Sequence, residues 1–171
     1  MDTFGKVVAI FAGVTLLFIT PLIYMAQKQD SISQLYVTQE TIRLTDNIRM
    51  SGVLTQNMYK DYIERIDKTG NIYNLEILHA HKRVAPAYDE ITDTVLETVD
   101  SYFYNTYEEE IYKAFDEGKD YYFAQGDYIS IKVVNRNKTM AGRIVSSLSR
   151  GNNSEVSILV TYGGMIRDET E

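Results

Sequence analysis

The sequence predicts an α+β fold: an N-terminal transmembrane helix that continues into an amphipathic helix and packs on a small, mainly antiparallel sheet with additional helices. Three observations predict it. The first is the uncharged run VVAIFAGVTLLFITPLIYM, Val7–Met25. The second is a helical apolar period in the stretch after Ser31 and again after Thr55. The third is an alternation of apolar and polar residues in NIYNLEILHAH and DYISIKVVN, the period of a strand.

The Val7–Met25 run has nineteen residues, close to the roughly 20 that carry a helix through a hydrocarbon core of about 30 Å. A secretory signal has a shorter apolar region of about 7–15 residues, a basic start and small residues at its cleavage site. Here Lys6 is offset by Asp2, and no A-x-A follows Tyr24. A retained anchor is therefore expected, in preference to a cleaved signal or the core helix of a soluble protein. The residues expected to face lipid or a neighbouring helix are Val7, Ala9, Phe11, Gly13, Leu16, Leu17, Phe18, Pro21 and Tyr24. Ala9 and Gly13 form a small-xxx-small pair that admits close helix approach. Lys6 and Lys28 flank the run symmetrically, so charge does not set the topology. A short tail before a single span leads us to expect the C-terminal domain outside the cytoplasm.

The expected divisions are a membrane-spanning helix over 1–26, a helical extension over 27–52 and a head domain over 53–171. In the extension Ile32, Leu35, Tyr36, Ile42, Leu44 and Ile48 form a narrow apolar stripe. Of these, Leu35, Ile42 and Ile48 are expected to dock on the head or a neighbour. AQKQDS contains no helix breaker, so the helix is expected to run on to about Met50 and stop at Gly52, although Thr38, Thr41 and Thr45 lower its propensity. A second helix begins at the cap Thr55, turns Met58, Tyr59, Tyr62, Ile63 and Ile66 to one face, and ends at Gly70. Asp61–Arg65 and Glu64–Lys68 are spaced to pair along its exposed side.

NIYNLEILHAH then places Tyr73, Leu75, Ile77, His79 and His81 on one face of a strand. Between Asp89 and Gly118, Ile91, Val95, Val99, Phe103, Tyr107, Ile111 and Phe115 recur every four residues, which favours a helix; SYFYNTY also suits extended chain or a break between two helices. DYISIKVVN reads as a strand with Ile129, Ile131 and Val133 on one side. TMAGRIVSSL reads as a short helix capped by Thr139 and burying Met140, Ile144 and Leu148. VSILVTY is a third strand, and Gly163–Gly164 is expected to form a tight turn or strand exit.

The net charge of −7 falls almost entirely on the chain after the apolar run, which argues against a nucleic-acid partner. No polybasic stretch adjoins the span, which argues against anionic-lipid recognition. There is no cysteine, hence neither disulfide nor thiolate chemistry. G-x-S-x-G, S-x-x-K, H-E-x-x-H and a phosphate loop are all absent, so no enzyme and no cofactor are expected. His79 and His81 share a strand face and are weak candidate metal ligands; a third ligand is needed, and no spacing nominates one among carboxylates such as Asp89 and Glu90. The acidic residues Glu108, Glu109, Glu110, Asp116, Glu117 and Asp120 lack calcium-loop spacing and read as a solvated face. Fourteen tyrosines, seven of them from Tyr88 to Tyr122, suit either an interface or a core edge whose hydroxyls reach water.

The apolar LLFITPLIYM, the continuing LYVTQETIRLTDNIRMSG and a small α+β head resemble the type IV pilin-like superfamily, in particular TadE-like minor pseudopilins of the tight-adherence kind in Gram-positive bacteria. IRMSGVLTQNMYKDYIERIDKTGNIYNLEILH, GDYISIKVVNRN and YGGMI carry the same resemblance. It implies a membrane-anchored structural or accessory subunit of a surface filament or secretion machine. The partners it implies are membrane lipid and other pilin-like subunits or assembly-platform proteins, in a homo- or hetero-oligomer. Gly5 is followed by Lys6, and no acidic residue lies between Gly5 and Asp30, which suits an unprocessed minor component. The competing expectation is a single-pass extracytoplasmic ligand-binding or sensor module.

Overall fold

The computed structural model describes residues 3–88, 95–149 and 158–167. Helix α1 runs unbroken over Thr3–Ser51, 49 residues with Pro21 inside it. It stops where expected: Gly52 adopts φ +65° and its N–H donates to Ile48 O at 2.8 Å. The short strand β1 (Val53–Leu54) follows, then α2 (Gln56–Asp67), β2 (Tyr73–Tyr88), β3 (Val95–Tyr107), α3 (Glu108–Asp116), β4 (Tyr121–Tyr122), β5 (Tyr128–Asn135), α4 (Met140–Ser149) and β6 (Leu159–Met165). Four strands form an antiparallel sheet in the order β3-β2-β5-β6, and β1 pairs with β4. The fold is α+β, as the sequence predicts.

The two halves of α1 sit in different surroundings. An eighteen-residue window with mean hydropathy 2.3 holds no buried residue, and the helix is long and apolar enough to cross a membrane. The upper half lies against the sheet through Ser33, Val37, Thr41, Leu44, Thr45 and Ile48, all buried. Of the apolar stripe, Leu44 and Ile48 face the head, Ile42 is half-buried, and Ile32 and Leu35 are exposed, Leu35 by 60%. The threonines take the inner line because each hydroxyl is satisfied within the helix. Thr41 Oγ1 donates to Val37 O at 2.7 Å and Thr45 Oγ1 to Thr41 O at 2.8 Å, so the methyl groups can enter the core.

One core joins this face to Leu54, Tyr62 and Ile66, to Ile111 and Phe115, and to the inner side of the sheet at Leu75, Ile77, Ile129, Ile131, Val133 and Val160. Thr55 caps α2 as expected, its Oγ1 accepting from Met58 N–H at 3.1 Å. Arg65 turns away from Asp61 and pairs with Glu40 of α1 at 2.7 Å, which ties α2 to the long helix.

The helix expected between Asp89 and Gly118 is mostly strand. Residues Val95–Tyr107 pair with β2 from Leu78 to Tyr88, and only Glu108–Asp116 is helical. A spacing of four also satisfies a period of two, and the Val, Thr, Tyr and Phe content of VLETVDSYFYNTY favours the strand. Ile91 lies outside the described residues. Among the described side chains of α4 the buried one is Ala141; Met140 and Leu148 are exposed and Ile144 is half-buried, because the helix rests on α1 by one narrow side.

Gly163 and Gly164 do not form a turn. They lie within β6 opposite Ser130 and Ile129. A Cβ on Gly164 would come within 2.5 Å of Arg49 Nε, so the missing side chain lets Arg49 cross the strand. There Arg49 Nε donates to Met165 O at 3.1 Å and its Nη1 pairs with Asp46 at 2.8 Å. The C-terminal end of α1 is thereby fastened to the sheet edge.

Thr41 Oγ1 also lies 2.8 Å from Tyr62 Oη in the buried core. Since Thr41 donates to Val37 O, the Tyr62 hydroxyl is the donor between them. Tyr62→Phe is expected to cost about 1 kcal/mol, and Thr41→Val, which strands the buried Tyr62 hydroxyl, about 1–3 kcal/mol. Urea unfolding of the full chain in detergent checks the order; equal costs would show that the pair is not coupled.

Candidate functional site

The alternation of β2 places His79 and His81 on the same side of the strand, as the sequence predicts. His79 is fully buried and His81 partly exposed. The turn between β4 and β5 brings Asp127 beneath them. Gly126, at φ +87°, reverses the chain there, and Asp127 N–H donates to Ala124 O at 3.1 Å. Ile166, the residue immediately after β6, donates its N–H to Asp127 O at 2.7 Å. The loop is thus pinned to the chain leaving β6 before any side chain acts.

The Asp127 carboxylate is buried and saturated. Oδ1 accepts from Lys82 N–H at 2.8 Å, and Oδ2 accepts from Ala124 N–H at 3.1 Å. Oδ2 also lies 2.8 Å from His79 Nε2 and 3.4 Å from His81 Nδ1. On its other side His79 Nδ1 meets Tyr121 Oη at 2.9 Å. A neutral His79 satisfies every group when Nε2–H donates to Asp127 and Nδ1 accepts from Tyr121; this tautomer is assigned from the partners. Phe123 packs on His79 with ring centres 4.4 Å apart and helps to bury that ring.

The charges follow from these contacts. Burial pushes His79 below the ordinary imidazole value, and the bond to Asp127 offsets only part of that. Burial opposes the ionisation of Asp127. The Lys82 N–H, the His79 ring and the Ala124 N–H outweigh it and hold the carboxyl below its usual range. Burial, with Glu110 and Asp127 nearby, pushes the Tyr121 hydroxyl up to about 12. Tyr121 is therefore a neutral hydrogen-bonding group at physiological pH.

The donor atoms of His79, His81 and Asp127 lie within 4.8 Å of one another, close enough to consider a metal. The rings point otherwise. Two imidazoles on one tetrahedral ion hold their ring centres about 5 Å apart, whereas those of His79 and His81 are 3.7 Å apart at an interplanar angle of 41°. An ion would also displace the His79–Asp127 hydrogen bond. The geometry favours a hydrogen-bonded clasp that locks the β4–β5 turn to β2.

Sequence reading missed Asp127; the G-D pair just before a strand was its only signal. Asp89 and Glu90, weighed as third ligands, lie outside the described residues. Glu108, Glu109 and Glu110 occupy the first turn of α3, where acidic residues suit the positive end of the helix, and Glu117 pairs with Lys119 at 2.8 Å. The tyrosines differ in placement. Tyr62 is buried in the core, whereas Tyr102, Tyr104, Tyr107 and Tyr122 are exposed.

Of the predicted anchor residues, Val7, Phe11, Leu16, Leu17, Phe18 and Tyr24 are exposed large apolar or aromatic side chains on the bare half of α1, and Ala9 and Pro21 are exposed beside them. A Cβ on Gly13 would meet nothing within 4 Å. The chain matches no protein-family model, no curated protein and no solved structure.

The clasp makes stability depend on acid. A buried His79 with a lowered pKa binds fewer protons than the unfolded chain, so its contribution is complete above the ordinary value of 6.5 and falls as pH drops below it. Asp127, also lowered, adds a further loss as pH falls through the carboxylate range. Thermal unfolding over a pH series should show Tm declining below 6.5, and His79→Gln should flatten that first decline. An unchanged slope would show that His79 does not titrate with folding.

Proposed function

We propose that this chain is a membrane-anchored, pilin-like structural or accessory subunit of a surface filament or secretion machine. One observation carries the reading: a single unbroken helix presents a bare apolar half for lipid or other helices, while its other half forms part of the core of a small antiparallel head. That division of labour suits assembly. The head is held rigidly on the helix, and the apolar half remains free to pack with like helices through van der Waals contact. The resemblance of LLFITPLIYM and the residues after it to TadE-like pseudopilins supports the same role. The sealed clasp around Asp127 fits a structural head better than a catalytic one.

Gold-tagged antibody against the head, applied to intact cells and viewed by electron microscopy, tests the proposal. Gold is expected on thin surface filaments or at their bases. Gold spread evenly over the envelope, with no filament beside it, would overturn the proposal and favour a single-pass sensor.

The open surface at Ala9 and Gly13 is the proposed helix-packing face. Gly13→Leu is expected to lower self-association of the apolar segment several-fold in a membrane two-hybrid assay. Unchanged association would remove that face from the proposal.

A further inference from the structure

We propose that α4 and the base of the head bed into the lipid headgroup layer on the head's side of the membrane. The inference rests on the reading that Val7–Met25 spans the bilayer. Three independent features of the head then converge on the same depth.

The first is where the head begins to touch the helix. Ala26, one residue beyond the apolar run, is only 4% exposed, and the same face is half-buried at Ile23 and Ile19. Leu22, Met25 and Ala26 share an open groove of about 600 Å³ with Met140, Arg143 and Ile144 of α4. Helix α4 therefore stands beside the residues at which α1 leaves the hydrocarbon, at the level of the headgroups.

The second is what α4 shows to its surroundings. Met140 is 63% exposed and Leu148 53%, with Val145 also exposed; Ile72 is exposed on the segment just before β2. In water these side chains would gain nothing from their positions. At the boundary between headgroups and acyl chains, an amphipathic helix of this kind buries its apolar side.

The third is charge. The segment from Asn135 to Ser149 carries Arg136, Lys138 and Arg143 and no acidic residue, in a chain of net charge −7. No basic run adjoins the span in sequence, but the fold supplies one in space. Lys138 and Arg143 line the groove against a single carboxylate, Asp30 of α1, and Arg136 is tied by its backbone N–H to Ile72 O at 2.7 Å. Basic groups around an apolar patch match the phosphates and chains of a lipid surface.

The absence of cysteine allows the test to be made on the full chain, one introduced thiol at a time. Single variants Met140→Cys and Leu148→Cys change exposed side chains and leave the core intact. Phe11→Cys reports on the span, and Tyr122→Cys on β4 reports on the far end of the head. Each would carry an environment-sensitive fluorophore and be reconstituted in vesicles of phosphatidylcholine and phosphatidylglycerol. Quenching by nitroxide-labelled lipids would be compared with quenching by aqueous iodide.

The expected result is strong lipid quenching at Phe11, several-fold stronger lipid than iodide quenching at Met140 and Leu148, and iodide quenching alone at Tyr122. If Phe11 is quenched by lipid while Met140 and Leu148 respond only to iodide, the head stands clear of the bilayer and the inference fails with the span intact. If Met140 and Leu148 are shielded from both quenchers, the face is covered by protein and the inference is likewise overturned. If Phe11 responds only to iodide, the span itself is refuted.

Discussion

The contact between the upper half of α1 and the sheet is the interaction on which the rest of the structure depends. A helix that leaves an apolar run and enters a protein core has to change its partners without breaking its hydrogen-bond ladder. Val37, Leu44 and Ile48 supply the apolar surface, while Thr41 and Thr45 fill the positions between them with hydroxyls turned back onto the helix. This arrangement buries polar residues without leaving them unpaired. The sheet, α2 and α3 then close around that face into one core.

Two clasps close the structure, one between the head and the helix and one within the head. Arg49, lying across the bare backbone of Gly164, joins the end of α1 to the edge strand β6. Asp127 gathers β2, the β4–β5 turn and, through its own carbonyl, the chain leaving β6. The first fastens the end of a helix and the second a turn, each to a strand through a charged side chain that bonds backbone groups. The polar chemistry around Asp127 thus serves closure, with His79, Asp127 and Tyr121 satisfied by one another.

Much of this was legible in the sequence because the signals were local. The apolar run, the Gly52 stop, the Thr55 cap and the alternation of β5 each follow from a few neighbouring residues. What sequence concealed was decided by contacts distant along the chain. The period of four in VLETVDSYFYNTY fits either helix or strand, and pairing with β2 settles it. Thr41 and Thr45 read as polar, yet their self-satisfied hydroxyls put them inward and leave Leu35 outside. Gly163 and Gly164 read as a tight turn or a strand exit, whereas both pair within β6 and the bare backbone of Gly164 gives Arg49 its space. At the clasp, the two histidines announced themselves by spacing, whereas Asp127 lies 46 residues beyond His81 and only the fold brings it near.

The unbroken course of α1 has a mechanical consequence. No proline or glycine interrupts it between Ala26 and Ser51, so the helix offers no swivel between the apolar run and the head. At 1.5 Å per residue this upper segment is a lever of about 39 Å, and a span tilted by about 20° would swing its far end sideways by about 13 Å. Wherever the lower half is embedded, a change in bilayer thickness that alters its tilt becomes a lateral displacement of the head.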